Sequence, residues 1–132
     1  MSLELSERVL DGYAVVELHG ELDLSSASDL RERLLDIVSQ QTASLILDLS
    51  GLRFMDSTGI SVLMATERRA NLLGGSLSLV NPQKVVARVL QVTSLDKHFA
   101  IFPTVADATA ARGPAGSLGA TNPEAGPPVG AA

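Results

Sequence analysis

Two short runs hold most of the chemistry this chain can offer: Gly20-Glu21-Leu22-Asp23 and Asp56-Ser57-Thr58-Gly59. Ser57 opens a helix read over residues 58–72. At a helix start the backbone N–H groups are unpaired and the dipole favours negative charge. Two readings of Ser57 follow. In one, Asp56 or Ser57 caps the first-turn amides and does nothing more. In the other, the Ser57 hydroxyl takes a phosphate that the free amides can hold. The two are compatible, because both use the same end of the helix. Thr58 is either a second acceptor or a plain first-turn residue. Gly59 leaves room for a close-approaching partner or for the neighbouring strand. Glu21 and Asp23 are either solvated acids and caps or part of a partner-binding surface.

Placing those runs requires the elements around them. Residues 3–5 suit a short opening strand, Asp11-Gly12 marks a tight turn, and residues 13–18 suit a second strand, which together predict a hairpin. Ser26 can cap a helix, with Asp29 three residues on, and Ala27, Leu30, Leu34, Ile37 and Val38 share one face of it. Residues 45–49 are nearly all apolar, as in a strand covered on both sides. Residues 50–55 read as a loop. The helix over 58–72 carries Ile60, Leu63, Ala70 and Leu73 in an uneven stripe interrupted by Glu67, and Gly74-Gly75 ends it. A strand follows at 77–80. Asn81-Pro82 then supplies a cap and a first-turn proline for a third helix, buried through Val85, Val86, Val89 and Leu90. A last strand at 99–102 and a short helix capped by Thr104 complete the pattern.

This β-β-α-β-α-β-α-β-α order predicts an α/β fold: one domain with a mixed, mostly parallel sheet, an antiparallel N-terminal hairpin and helices packed on it. A β-α-β crossover makes its strands parallel, so their C-terminal ends share one edge. The runs after residue 18 and after residue 49 therefore meet there, where open α/β sheets usually build sites. Topology alone puts Glu21, Asp23, Asp56 and Ser57 in one neighbourhood.

Composition narrows the function. The net charge of −5 argues against a nucleic-acid binder and against adhesion to anionic lipid. There is no cysteine, and His19 and His98 stand apart, so no thiol chemistry or metal site is expected. His19 reads as structural and Arg53 as a solvated charge. Aromatics are only 3%, which leaves the core to Leu, Val, Ile and Ala. The N-terminus lacks a signal-peptide pattern and no apolar run reaches the ~20 residues of a membrane span, which predicts a soluble cytoplasmic protein. Residues 1–112 are expected to fold. Residues 113–132, rich in Gly, Pro and Ala, are expected to form a disordered tail.

The stretches GELDLSSASDLRERLL, SLILDLSGLRFMDSTGISVLMATERRA and GSLSLVNPQKVVARVLQVTSLDKHFAIF resemble the STAS domain of bacterial anti-sigma factor antagonists. The most specific part is LDLSGLRFMDSTG. The resemblance covers about residues 1–110; the tail lies outside it. It implies that Ser57 is phosphorylated by a partner that is both anti-sigma factor and serine kinase. The unphosphorylated protein would bind that partner and free a sigma factor, and a metal-dependent serine phosphatase would reset it. Glu21, Asp23, Asp56, Ser57, Thr58 and Gly59 would form the partner-binding surface. ATP would belong to the kinase, so no cofactor is assigned to this chain. Two other classes compete. A hydrolase using Ser57 and His19 lacks the Gly-x-Ser-x-Gly elbow, nucleotide-loop motifs are absent, and no esterase activity is expected. A non-enzymatic STAS scaffold, or an accessory subunit of a lipid-transport or stress-sensing complex, would be indifferent to Ser57→Ala.

Overall fold

The computed structural model describes residues 2–40 and 43–112; the expected tail at 113–132 lies outside the described residues. The elements run β1 Leu3–Leu10, β2 Tyr13–Leu22, α1 Leu24–Gln40, β3 Ser44–Met55, α2 Ser57–Leu72, β4 Ser76–Val80, α3 Lys84–Val92, β5 Ala100–Phe102 and α4 Val105–Arg112. The five strands lie in sequence order in one sheet. β1 and β2 are antiparallel, and every later pairing is parallel. The hairpin turns at Asp11 and Gly12, whose φ angles of 53° and 84° are both left-handed, as a two-residue turn between twisted strands requires.

Alternation along the strands separates two apolar layers. Ala14, Val16 and Leu18 of β2, Leu45, Leu47 and Leu49 of β3, and Leu77 and Leu79 of β4 enter the larger one. There they meet Leu30 and Leu34 of α1, Val62 and Leu63 of α2, and Val86 and Leu90 of α3. Tyr13, Val15, Ile46 and Val80 face the other way, onto Ala108 of α4. Cover on both faces is why the central strands are almost continuously apolar. Leu34 is fully buried, and cutting it to alanine is expected to cost about 2–5 kcal/mol.

The element order is as read from sequence, but several boundaries are corrected. β1 extends to Leu10, because Ser6, Glu7 and Arg8 continue the ladder with their side chains exposed. Residues 50–55 are strand, not loop: β3 continues to Met55 alongside β2, with register irregularities between Glu17 and His19 and between Gly20 and Glu21. Gly20 sits at the second irregularity with φ of 120°, a conformation side chains rarely allow. Asn81-Pro82 does not start α3. Asn81 turns the chain with φ of 49°, and the helix begins at Lys84 after Gln83. The buried face of α2 is Gly59, Val62, Leu63, Thr66 and Ala70, while Leu73 is half exposed. Thr66 fits there because its hydroxyl donates to the Val62 carbonyl at 2.8 Å. Val85 is 52% exposed and leaves α3's buried face to its neighbours.

Candidate functional site

β2 and β3 end together. Leu22 and Met55 are register partners, and the Asp56 amide donates to the Leu22 carbonyl at 3.4 Å. Each strand is followed at once by an aspartate and then a helix. The crossover expectation therefore holds: Asp23 and Asp56 lie side by side at one edge of the sheet.

The two aspartates do the same work. Asp56 is the N-cap of α2, and its Oδ1 accepts the Thr58 amide at 3.0 Å and also the Thr58 hydroxyl. Asp23 precedes α1, and its Oδ1 accepts the Ser25 amide at 3.0 Å and the Ser25 hydroxyl at 2.7 Å. Their carbonyls accept the helical amides of Ala27 and of Ile60, four residues on in each case. Each cap satisfies an amide that would otherwise be unpaired. Ser26, expected to be the cap of α1, instead closes the turn from inside: its Oγ accepts the Asp23 amide at 3.1 Å and donates to the Glu21 carbonyl at 3.0 Å. The Ser25 hydroxyl is the main cause that holds the Asp23 carboxyl below its ordinary value, so this acid is a carboxylate at neutral pH.

With Asp56 as cap, Ser57 is the first residue of α2 and is exposed. No hydrogen bond of its hydroxyl is present among the described residues, whereas the Thr58 hydroxyl is bound to Asp56. Of the two hydroxyls in the run, Ser57 is the one the fold leaves open to chemistry. Gly59 is buried, and a Cβ there would lie 3.0 Å from Leu22 Cδ2 and from Met55 Sδ. Its lack of a side chain lets the first turn of α2 rest on the strand ends, which fixes where Ser57 projects.

Glu21 and Arg53 form an ion pair at 2.5 Å across β2 and β3. Arg53 is solvated as expected, with its side chain 64% exposed, and the strand extension adds Glu21 as its partner. Two apolar residues at this edge carry no sequence signal of their own: Leu24, first residue of α1 and 78% exposed, and Phe54, 40% exposed beside the Glu21–Arg53 pair. The outward placement of Phe54 could have been inferred only by extending β3 through Ser50 and Gly51. His19 belongs elsewhere. Its ring packs against Gly51, and its Nε2 lies 3.6 Å from Glu17. No group of three or more metal-ligating side chains occurs among the described residues, and none of their helices is long and apolar enough to cross a membrane.

This fold and this edge belong to a known class: residues 4–108 match the STAS domain, and the chain is a member of that family. Relatives in that family include anti-sigma factor antagonists. The anti-sigma-F factor antagonist RsfB of Mycobacterium tuberculosis is 35% identical over 106 residues, covering 78% of this chain and 84% of RsfB. A solved anti-sigma factor antagonist from Mycobacterium paratuberculosis superposes with a TM-score of 0.76 at 31% identity, over 83% of this chain and 93% of its own. The Bacillus cell fate determinant SpoIIAA, solved in its phosphorylated form, superposes with a TM-score of 0.64 at 25% identity, over 81% of this chain and 96% of its own.

Proposed function

We propose that this chain is an anti-sigma factor antagonist whose binding is turned off by phosphorylation of Ser57. Unphosphorylated, it binds an anti-sigma factor serine kinase and so frees a sigma factor; a metal-dependent serine phosphatase restores it. The observation that carries this reading is the unbonded, exposed Ser57 hydroxyl on the first residue of α2, flanked by the ionised Asp23 edge and the Asp56 cap. The similarity to a protein solved in a phosphorylated form supports it. The partner-binding surface comprises Glu21, Asp23, Asp56, Ser57 and Thr58, and Gly59 acts by setting the approach of α2. The role is regulatory rather than catalytic. It is exercised in the cytoplasm, where sigma factors act, and without direct contact to nucleic acid or membrane.

Local charge suffices for such a switch. A phosphate adds about −1.5 to −2 charges. Facing a partner carboxylate ~6 Å away, it is repelled by about 1.4 kcal/mol even at the dielectric of water, a ~10-fold loss of affinity. The test is calorimetric titration of the anti-sigma kinase with wild type, with Ser57→Asp and with the phosphorylated protein. Tight binding by wild type and at least ~10-fold weaker binding by the phosphorylated form support the reading. Equal affinities for all three would move the scaffold alternative ahead.

A further inference from the structure

Beside β2, at one margin of the sheet, β1 is an edge strand. It is eight residues long, contains no proline, and pairs with β2 without a single register irregularity. Edge strands of this kind are open to pairing with another chain unless their side chains forbid it. In β1 the side chains select rather than forbid. From the geometry we infer that two copies of this chain associate edge to edge through β1, antiparallel and with Ser6 opposite Ser6.

The register follows from charge. In a continuous antiparallel sheet, residues that face each other lie on the same face, so the positions of a symmetric pair sum to an even number. Centring on Ser6 sets Glu4 against Arg8 of the second copy, and by symmetry does so twice. Both residues are exposed, and both lie on the face of the hairpin that carries Glu17, which Arg8 already approaches to 3.8 Å. On the other face, Leu3 meets Val9 of the second copy and Leu5 meets Glu7. Val9 is 65% exposed in the single chain. Beside Leu3 runs a groove of about 390 Å³ between β1 and α1, lined by Leu3, Leu5, Leu30, Ser25 and Ser26 among others. The register sets Val9 of the second copy opposite Leu3, which lines this groove together with the charged Asp29, Glu32 and Arg33. The neighbouring registers do worse. Centring on Glu7 opposes two like charges, and centring on Leu5 leaves Arg8 over Ser2.

An eight-residue edge buries little area, so the dimer is weak and builds up with concentration. The pairing does not use Ser57 itself, because β1 is separated from β3 by β2. The experiment is sedimentation velocity of the full chain at concentrations rising into the millimolar range. Wild type is expected to shift from monomer toward dimer. Glu4→Arg alone and Arg8→Glu alone each place like charges opposite one another twice and should weaken self-association roughly tenfold or more. In a heterodimer of the two variants, the introduced arginine of one copy faces the introduced glutamate of the other. The unaltered Arg8 and Glu4 face each other at the second contact, so a mixture should recover the wild-type shift. Unchanged melting temperatures would show that each variant is folded. A wild type that stays monomeric overturns the proposal, as does a dimer indifferent to both single variants or a mixture that fails to recover.

Discussion

The starts of α1 and α2 are nearly superimposable in chemistry and differ in what they leave exposed. In each, an aspartate at the end of a parallel strand accepts the amide and the hydroxyl of the residue two positions on, Ser25 in one and Thr58 in the other. In each, the first helical residue is thereby left free and faces solvent. In α1 that residue is Leu24, which has nothing to react with and apolar surface to offer. In α2 it is Ser57, a hydroxyl. The third helical residue differs too. Ser26 ties α1 back to Glu21, whereas Gly59 is pressed onto Leu22 and Met55. One cap is therefore built to hold a shape and the other to hold a shape and present a nucleophilic oxygen. The free hydroxyl is a by-product of capping, because the cap takes over the amide that a serine in its place would have bonded.

The largest expected asymmetry is in modification. Ser57→Ala should abolish phosphate transfer, whereas Ser25→Ala, which removes the corresponding hydroxyl network of α1, should leave it intact. Ser57→Ala should at the same time change stability by no more than about 0.5 kcal/mol, since it removes no buried contact. Next comes the third helical position. Gly59→Val has no space beside Met55 and Leu22, and is expected to cost about 1–3 kcal/mol in urea unfolding. Ser26→Ala loses only hydrogen bonds, and about 1 kcal/mol is expected. A result in which both substitutions cost the same would deny that the α2 start is packed more tightly. Third, Asp56→Ala removes a cap and should lower stability by about 1 kcal/mol, read as a fall of a few degrees in melting temperature. Asp23→Ala should shift it in the same direction.

The smallest effect is in pH. Asp23 titrates below its unfolded value, first because of the Ser25 hydroxyl. Its contribution to stability is therefore fully present above the unfolded carboxylate pKa of about 3.9, and is lost as pH falls through the lower folded value. Ser25→Ala should raise the Asp23 pKa toward the ordinary value, which a carboxyl-carbon NMR titration would read directly. No movement would mean that the hydroxyl is not the cause.

The placement of this site was legible because an apolar strand followed by an acid and a helix pattern admits few topologies. Leu45 to Leu49 is recognisable as a buried strand and Tyr13 to Leu18 as a strand, and the crossover between them brings their ends together. What was hidden lies where local signals conflict with tertiary pairing. Ser50, Gly51 and Arg53 look like a loop, and only the neighbouring β2 backbone makes them strand. That conflict concealed the Glu21–Arg53 pair and the outward Phe54. Ser26 has the composition of a cap because serine favours that position, but the helix starts one turn earlier, where Asp23 accepts the amides of Ser25 and Ser26. Asn81-Pro82 has the composition of a helix start, yet a left-handed Asn81 makes it a turn, and Gln83 just beyond bonds the Ser50 carbonyl.

The central claim is that one of two equivalent helix starts carries the switch. Its most direct test is incubation of wild type, Ser57→Ala and Thr58→Ala with the anti-sigma serine kinase and ATP, read by intact mass and peptide mapping. The account predicts a single phosphate on Ser57 in wild type and in Thr58→Ala, and none in Ser57→Ala. Phosphate on Thr58 or on Ser25, or none on a wild type that binds the kinase, would contradict it.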